Sequence, residues 1–181
     1  PARFKAGQVI IAASSLIGIG LAMYHCVDSD KRAQYKPMFL SACLAVLLTG
    51  VTEPIEFMFM FIAPVLYVAH AVLTGIAFAL VDVMDLRIHA FGLIELLTRI
   101  PMMVSAGIGG DLVRFALVSI VFFGVNYGLF RVLIVKFKLP TPGRMGNYLD
   151  ASSESMSEDE KMDIIIHNLG GRANIAEIDA C

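Results

Sequence analysis

A chain of 181 residues that is 57% hydrophobic and 17% charged, with no tryptophan and a mean hydropathy of +0.75, is too apolar and too charge-poor for an ordinary soluble domain. Its net charge of −2 comes without any basic stretch interleaved with aromatics, which excludes a nucleic-acid-binding module. The composition is that of an α-helical membrane protein.

In chain order, residues 6–27, 37–52 and 57–81 carry no formal charge, and 115–130 lie between Arg114 and Arg131. A helix needs roughly 20 predominantly apolar residues to cross a bilayer core. Residues 6–27 and 57–81 are therefore long enough to span. Residues 37–52 are short, and the last run reaches spanning length only if Arg114 and Arg131 lie at its ends and snorkel to the headgroups. Between 82 and 111 charges recur every few residues among apolar pairs, with Pro101 in the middle. Such a segment is either interfacial and amphipathic or is backbone buried in protein beside a cavity; Arg87, His89, Glu95 and Arg99 within it read as paired structural charges or headgroup contacts.

Arg131, Lys136, Lys138 and Arg144 follow the last apolar run, which predicts a cytoplasmic C-terminal side. Residues 1–148 hold 12 Lys and Arg against 8 Asp and Glu, whereas 149–181 hold 2 against 8. This pattern predicts a membrane domain over 1–139, a Pro/Gly- then Ser/acid-rich linker over 140–157, and a polar module over 158–181. The module begins as a helix: Ser157 and Glu160 fit a capping box, Met162, Ile165, Ile166 and Leu169 form one apolar stripe, and Gly170-Gly171 supplies the stop. The chain opens on Pro1-Ala2-Arg3 and closes on Cys181, so both ends read as cut from a longer polypeptide.

The cysteines Cys26, Cys43 and Cys181 show neither a disulfide framework nor metal-ligand spacing. Cys26 and Cys43 lie in apolar runs and read as packing residues. Cys181 stands in the polar module, where residue physics alone favours an ordinary thiol beside Asp179.

The anomaly is Thr52-Glu53-Pro54-Ile55-Glu56 between two apolar runs. Intramembrane carboxylates face the protein interior or a wet cavity, and Pro54 makes a continuous helix through this stretch unfavourable. Two readings follow: two half-helices meeting at a polar tip, as at transporter substrate sites, or an aqueous loop between ordinary spans. His25 and His70 read as core histidines bonded to nearby carbonyls, with a place beside Glu53 in a cavity as the alternative.

GVTEPIEFMFMFIAPVLY, residues 50–67, resembles the GITEPIEF-type signature of the membrane-embedded EIIC domain of the glucose superfamily of bacterial phosphotransferase-system permeases. PTPGR, residues 140–144, resembles that family's junction into a linker, and NLGGRANIAEIDAC, residues 168–181, the start of its EIIB domain up to the phosphorylated cysteine. LAMYHC, residues 21–26, and DLRIHAFGLIELLTR, residues 85–99, look closest to the maltose/glucose branch.

The resemblance implies transmembrane helices plus a re-entrant helical hairpin, followed by the linker and a truncated α/β EIIB module. It implies a protein-N(pi)-phosphohistidine–sugar phosphotransferase in the bacterial inner membrane that imports and phosphorylates a sugar, most closely glucose or maltose. Cys181 is then the phosphocysteine intermediate, suited to the relay because a thiolate is a good nucleophile and its phosphate stays transferable. Glu53, with Thr52 and His70 beside it, is the substrate-binding set, while Glu56 caps or braces the following helix. The partners implied are an EIIA-type phosphocarrier protein, the lipid bilayer and a second copy through EIIC; no cofactor is implied, the phosphoryl group coming ultimately from phosphoenolpyruvate. The family pattern continues beyond both ends of this sequence, so the chain by itself is expected to be inactive. The alternative is a non-enzymatic transporter or channel subunit whose acidic tail docks a partner.

Overall fold

The computed structural model describes residues 5–145 together with 163, 166 and 167. The chain divides into two units, Pro1–Tyr148 and Leu149–Cys181. In the first, the helices are α1 (Lys5–Ile10), α2 (Leu16–Cys26), α3 (Arg32–Thr49), α4 (Glu53–Met60), α5 (Pro64–Val83), α6 (Leu93–Ser105) and α7 (Gly109–Lys136), with one π-helical stretch, Ile11–Ser15, joining α1 to α2. In the second, Asp163, Ile166 and His167 are helical, within the helix expected after Ser157. The remainder of the expected EIIB module lies outside the described residues, and there is no β-strand among the described ones.

Among the described residues, three helices are long and apolar enough to cross a membrane: Lys5–Cys26, Pro64–Val83 and Gly109–Lys136. They differ in setting, since 67% of the apolar window of Lys5–Cys26 is buried inside the protein against 22% and 28% for the other two. The first is therefore the central helix, and the others turn apolar faces outward, including Val68, Val72 and Ile76 on α5 and Leu117, Ile120 and Val121 on α7. Small residues permit the closest approach: a Cβ on Gly18 of α2 would lie 2.6 Å from the Phe123 carbonyl oxygen of α7, the kind of small-residue contact that holds helices together where hydrophobicity cannot. The π-helical stretch has a local polar cause. Ser14 Oγ donates back to the Ile10 carbonyl at 2.6 Å, and Asn126 Nδ2 of α7 donates to Ser15 Oγ at 3.2 Å, so the ordinary ladder loosens there.

Several boundaries differ from the sequence reading. Residues 57–81 do not form one span: the helix stops at Met60, and α5 restarts with Pro64 in its first turn, where the missing N–H costs nothing. The third helix starts at Arg32 rather than at the apolar Pro37, which sits inside it. Arg114 and Arg131 lie within α7, not at its ends. The two are 17 residues, about 26 Å, apart along the axis, so their long side chains must snorkel to reach both faces of a ~30 Å hydrocarbon core.

The mixed segment divides into two parts. Leu86, Ile88 and Ala90 are buried in a stretch outside the helices, alternating with the more exposed Arg87 and His89. Then α6 follows as an amphipathic helix, with Leu96 and Met103 buried and Ile94, Leu97, Met102 and Val104 exposed. Its charges are paired, Arg87 with Asp85 at 2.8 Å and Arg99 with Glu95 at 2.6 Å. The hydrogen bond and charge of Asp85 raise the Arg87 pKa above its ordinary value.

Within the first unit, residues 140–145 fold back on the helices. The Asp28 N–H donates to the Gly143 carbonyl at 3.0 Å, and Arg144 Nη1 donates to the Ile134 carbonyl at 2.8 Å.

Candidate functional site

The helix break announced by Thr52-Glu53-Pro54 begins at Gly50. This residue ends α3 in the left-handed region, with φ of 81° and its N–H bonded to the Val46 carbonyl, a conformation that glycine adopts without steric cost. Its surroundings also demand glycine, because an added Cβ would collide with the Phe91 carbonyl group. On the other side of the contact, a Cβ on Gly92 would lie 2.6 Å from both the Leu48 carbonyl oxygen and the Gly50 nitrogen. The end of α3 and the start of α6 thus meet backbone to backbone.

Side chains from two further places hold this junction. Gln8 Nε2 of α1 donates to the Gly50 carbonyl at 3.4 Å. Glu95 Oε2 accepts from the Phe91 N–H at 2.8 Å, and Lys5 Nζ stands 4.8 Å from the centre of the Phe91 ring. The turn leading into Thr52 is consequently fixed by α1, α3 and α6 together.

Thr52 is the N-cap of α4; its carbonyl accepts the Ile55 and Glu56 N–H groups at 3.2 Å each, while its side chain makes no capping bond. Glu53 and Glu56 occupy the first turn of α4 with Pro54 between them. Unpaired N–H groups at a helix start favour negative charge, so both acids suit the position.

Their partners differ. Glu56 Oε1 accepts a hydrogen bond from His70 Nε2 at 3.2 Å, with side-chain exposures of 21% and 5% respectively. In one continuous helix, residues 14 apart would be about 21 Å apart along the axis; the break at 61–63 is what brings α4 and α5 face to face. Phe59 stands edge-on to His70 and to Phe130 of α7, with ring centres at 5.8 and 5.5 Å. When His70 is neutral, the bond to Glu56 puts its proton on Nε2 and leaves Nδ1 as an acceptor, and Nδ1 is buried without a partner among the described residues. Glu53 is exposed, and no hydrogen bond or ion pair engages its carboxylate among the described residues.

The residues singled out from sequence therefore separate into two groups. Thr52, Glu56 and His70 share the α4–α5 junction, and Glu53 stands outside it as a free carboxylate. Both histidines are bonded to side chains rather than to carbonyls: His25 Nδ1 lies 2.9 Å from Tyr127 Oη of α7. Cys181 lies outside the described residues. Cys26 and Cys43 are free thiols, both half-buried. Among the described residues, no group of three or more His, Cys, Asp or Glu side chains is placed to hold a metal ion. A cleft of about 330 Å³ between α2 and α3, lined by Gly20, Tyr24, Phe39, Cys43 and Phe123, is nearly all apolar and includes neither glutamate. Gln8, Phe91 and Gly92 were not marked as parts of the site by sequence, and Glu95 was read only as a structural charge or headgroup contact; Gly50 and Gly92 are isolated glycines, too common to point at each other.

Residues 1–75 match the family model described as "Phosphotransferase system, EIIC". The chain is 48% identical over 188 residues to the "PTS system glucose-specific EIICBA component" of Streptococcus pneumoniae serotype 4, covering 100% of this chain and 26% of the relative. It is 32% identical over 181 residues to the "PTS system maltose-specific EIICB component" of Escherichia coli K12, covering 97% of this chain and 34% of the relative. It is 33% identical over 181 residues to the "PTS system glucosamine-specific EIICBA component" of Bacillus subtilis 168, covering 99% of this chain and 28% of the relative. The chain thus spans between 26% and 34% of the length of these relatives.

Proposed function

This chain belongs to the EIIC family of the phosphotransferase system, of the glucose type, and on that premise we propose that it serves a permease that imports a sugar and phosphorylates it in the same passage. The observation that carries the reading is the exposed Glu53 carboxylate at the start of α4, without a partner among the described residues and held beside a turn that α1, α3 and α6 fix. A carboxylate accepts hydrogen bonds from two neighbouring hydroxyls at once, the feature that distinguishes a sugar from an apolar solute. Glu53 and Thr52 contact the sugar, α3 and α4 form the re-entrant hairpin that presents them, and the Glu56–His70 bond braces α4 against α5.

The chemistry is a two-step phosphoryl relay. The Cys181 thiolate attacks the phosphorus of a phosphohistidine on an EIIA-type carrier, forming an S–P bond as the N–P bond breaks. A sugar hydroxyl then attacks that phosphorus; the O–P bond forms, the S–P bond breaks, and the hydroxyl proton is released. The relatives' names, EIICB and EIICBA, support this relay over a purely passive transporter with an acidic docking tail. The 48% identity to a protein named glucose-specific supports glucose as the first sugar to test. The cationic stretch from Arg131 to Arg144 supports a cytoplasmic position for the C-terminal unit in the bacterial inner membrane, and pairing through EIIC supplies the homodimer.

In the full-length permease, Cys181→Ser is expected to abolish phosphoenolpyruvate-dependent sugar phosphorylation while sugar binding persists. Phosphorylation at the wild-type rate in that variant removes Cys181 from the relay.

A further inference from the structure

The two ends of α7 treat their cations differently. Near its start Arg114 lies 3.6 Å from Asp111, whose carboxylate also accepts the Arg87 N–H at 3.2 Å. Near its end, Arg131 and Lys136 have no carboxylate within ion-pair distance among the described residues.

Arg131 is nevertheless held in place. Its Nη1 donates to Tyr127 Oη at 2.6 Å, its guanidinium stands 5.9 Å from the centre of the same ring, and Tyr127 Oη is itself bonded to His25 at 2.9 Å. A neutral hydroxyl orients the guanidinium without cancelling its charge, and most of its donors stay free. Beside it, Gly128, Val132 and Val135 complete an open groove of about 420 Å³ with Arg131 and Lys136 at its rim. Val132 and Val135 are 57% and 55% exposed, and Gly128 contributes no side chain to fill the floor.

An apolar floor with two uncompensated cations at its rim fits a ligand that is a phosphate at one end and hydrocarbon at the other. We propose that the groove on the last two turns of α7 binds an anionic phospholipid, its phosphate between Arg131 and Lys136 and an acyl chain along Gly128, Val132 and Val135. Planar guanidinium N–H groups match phosphate oxygens bidentately, and the nearby Tyr127–His25 bond sets their direction beforehand. Charge complementarity selects lipid over a second copy of the same face, because a two-fold contact there would set like cations against each other. Free inorganic phosphate satisfies the cations but leaves the floor wet.

The test uses the full-length permease reconstituted in phosphatidylcholine with spin-labelled phosphatidylglycerol, the fraction of immobilised label being read by electron paramagnetic resonance. Wild type is expected to immobilise phosphatidylglycerol in preference to equally labelled phosphatidylcholine. That preference should fall about fivefold for each cation removed in Arg131→Gln and Lys136→Gln, and less in Arg131→Lys, which keeps the charge; Arg114→Gln should leave it unchanged. Because Lys136 is exposed in the last turn, its variant tests the site without disturbing the core. Equal immobilisation of the two lipids by wild type, as when another part of the full-length chain covers the groove, overturns the proposal. So does an unchanged preference in the Arg131→Gln, Lys136→Gln double variant. Displacement of the labelled lipid by millimolar inorganic phosphate assigns the cations to a free anion and likewise overturns it.

Discussion

At the start of α4 the unpaired backbone N–H groups welcome a carboxylate, so Glu53 and Glu56 share a favourable field and are separated by what else they touch. Glu56 reaches across to His70 at 3.2 Å, whereas Glu53 faces outward. Removing the charge of a half-buried acceptor forfeits about 1–2 kcal/mol, so Glu56→Gln should lower the thermal midpoint of the detergent-solubilised full-length protein. His70→Ala should cost more, about 2–3 kcal/mol, because it also opens a space beside Phe59 and leaves Glu56 without its donor. The double variant should lose measurably less than the sum of the two, the coupling being about 1 kcal/mol. Additive losses in such a thermal-melt cycle would show that the two side chains do not act as a pair. This contact was not legible in the sequence, since 14 residues of apolar chain separate the partners and only the break at 61–63 brings them together. The acids themselves were legible, because a charged side chain in an apolar run needs a reason.

Among the elements, the junction between the end of α3 and the start of α6 is the most demanding. Gly92→Ala places a methyl 2.6 Å from backbone atoms of Leu48 and Gly50, which rigid helix ends can relieve only by separating, at about 1–3 kcal/mol. Gly50→Ala adds the strain of a left-handed φ, worth a further ~1–2 kcal/mol. Gly124→Ala on α7, where no atom lies within 4 Å of the added Cβ, should be neutral. Thermal melts of the three variants check this ranking; equal effects at Gly92 and Gly124 would contradict it. The apolar runs announced most helices here because a bilayer tolerates no unpaired backbone. Their ends were less legible: α3 starts at Arg32 because a helix can continue through polar residues where water meets its first turn. The stop at Met60 is hidden in uniformly apolar sequence, with Pro64 as its one local sign. Period-two alternation from Asp85 to Ala90 was present in the sequence, but only burial of Leu86, Ile88 and Ala90 shows that one side of the stretch is covered.

Across the whole first unit, the central helix Lys5–Cys26 links the two regions of interest. Lys5 and Gln8 near its start support the Phe91–Gly50 junction, and His25 near its end holds Tyr127 and, through it, Arg131. The sequence could reveal the class of molecule, since composition and the TEPIE stretch are local. It could not reveal the partner that braces Glu56 or the supports of the turn before it, because Glu56–His70 depends on the break at 61–63 and Gln8–Gly50 is a contact across 42 residues. The division of labour between the two glutamates is the centre of the functional account, and equilibrium binding of radiolabelled glucose to the purified full-length permease tests it most directly. Glu53→Gln should weaken binding roughly 10- to 100-fold with an unchanged melting temperature, whereas Glu56→Gln should melt earlier and keep its affinity once folded. Wild-type affinity in Glu53→Gln, with the loss appearing in Glu56→Gln instead, would contradict the account.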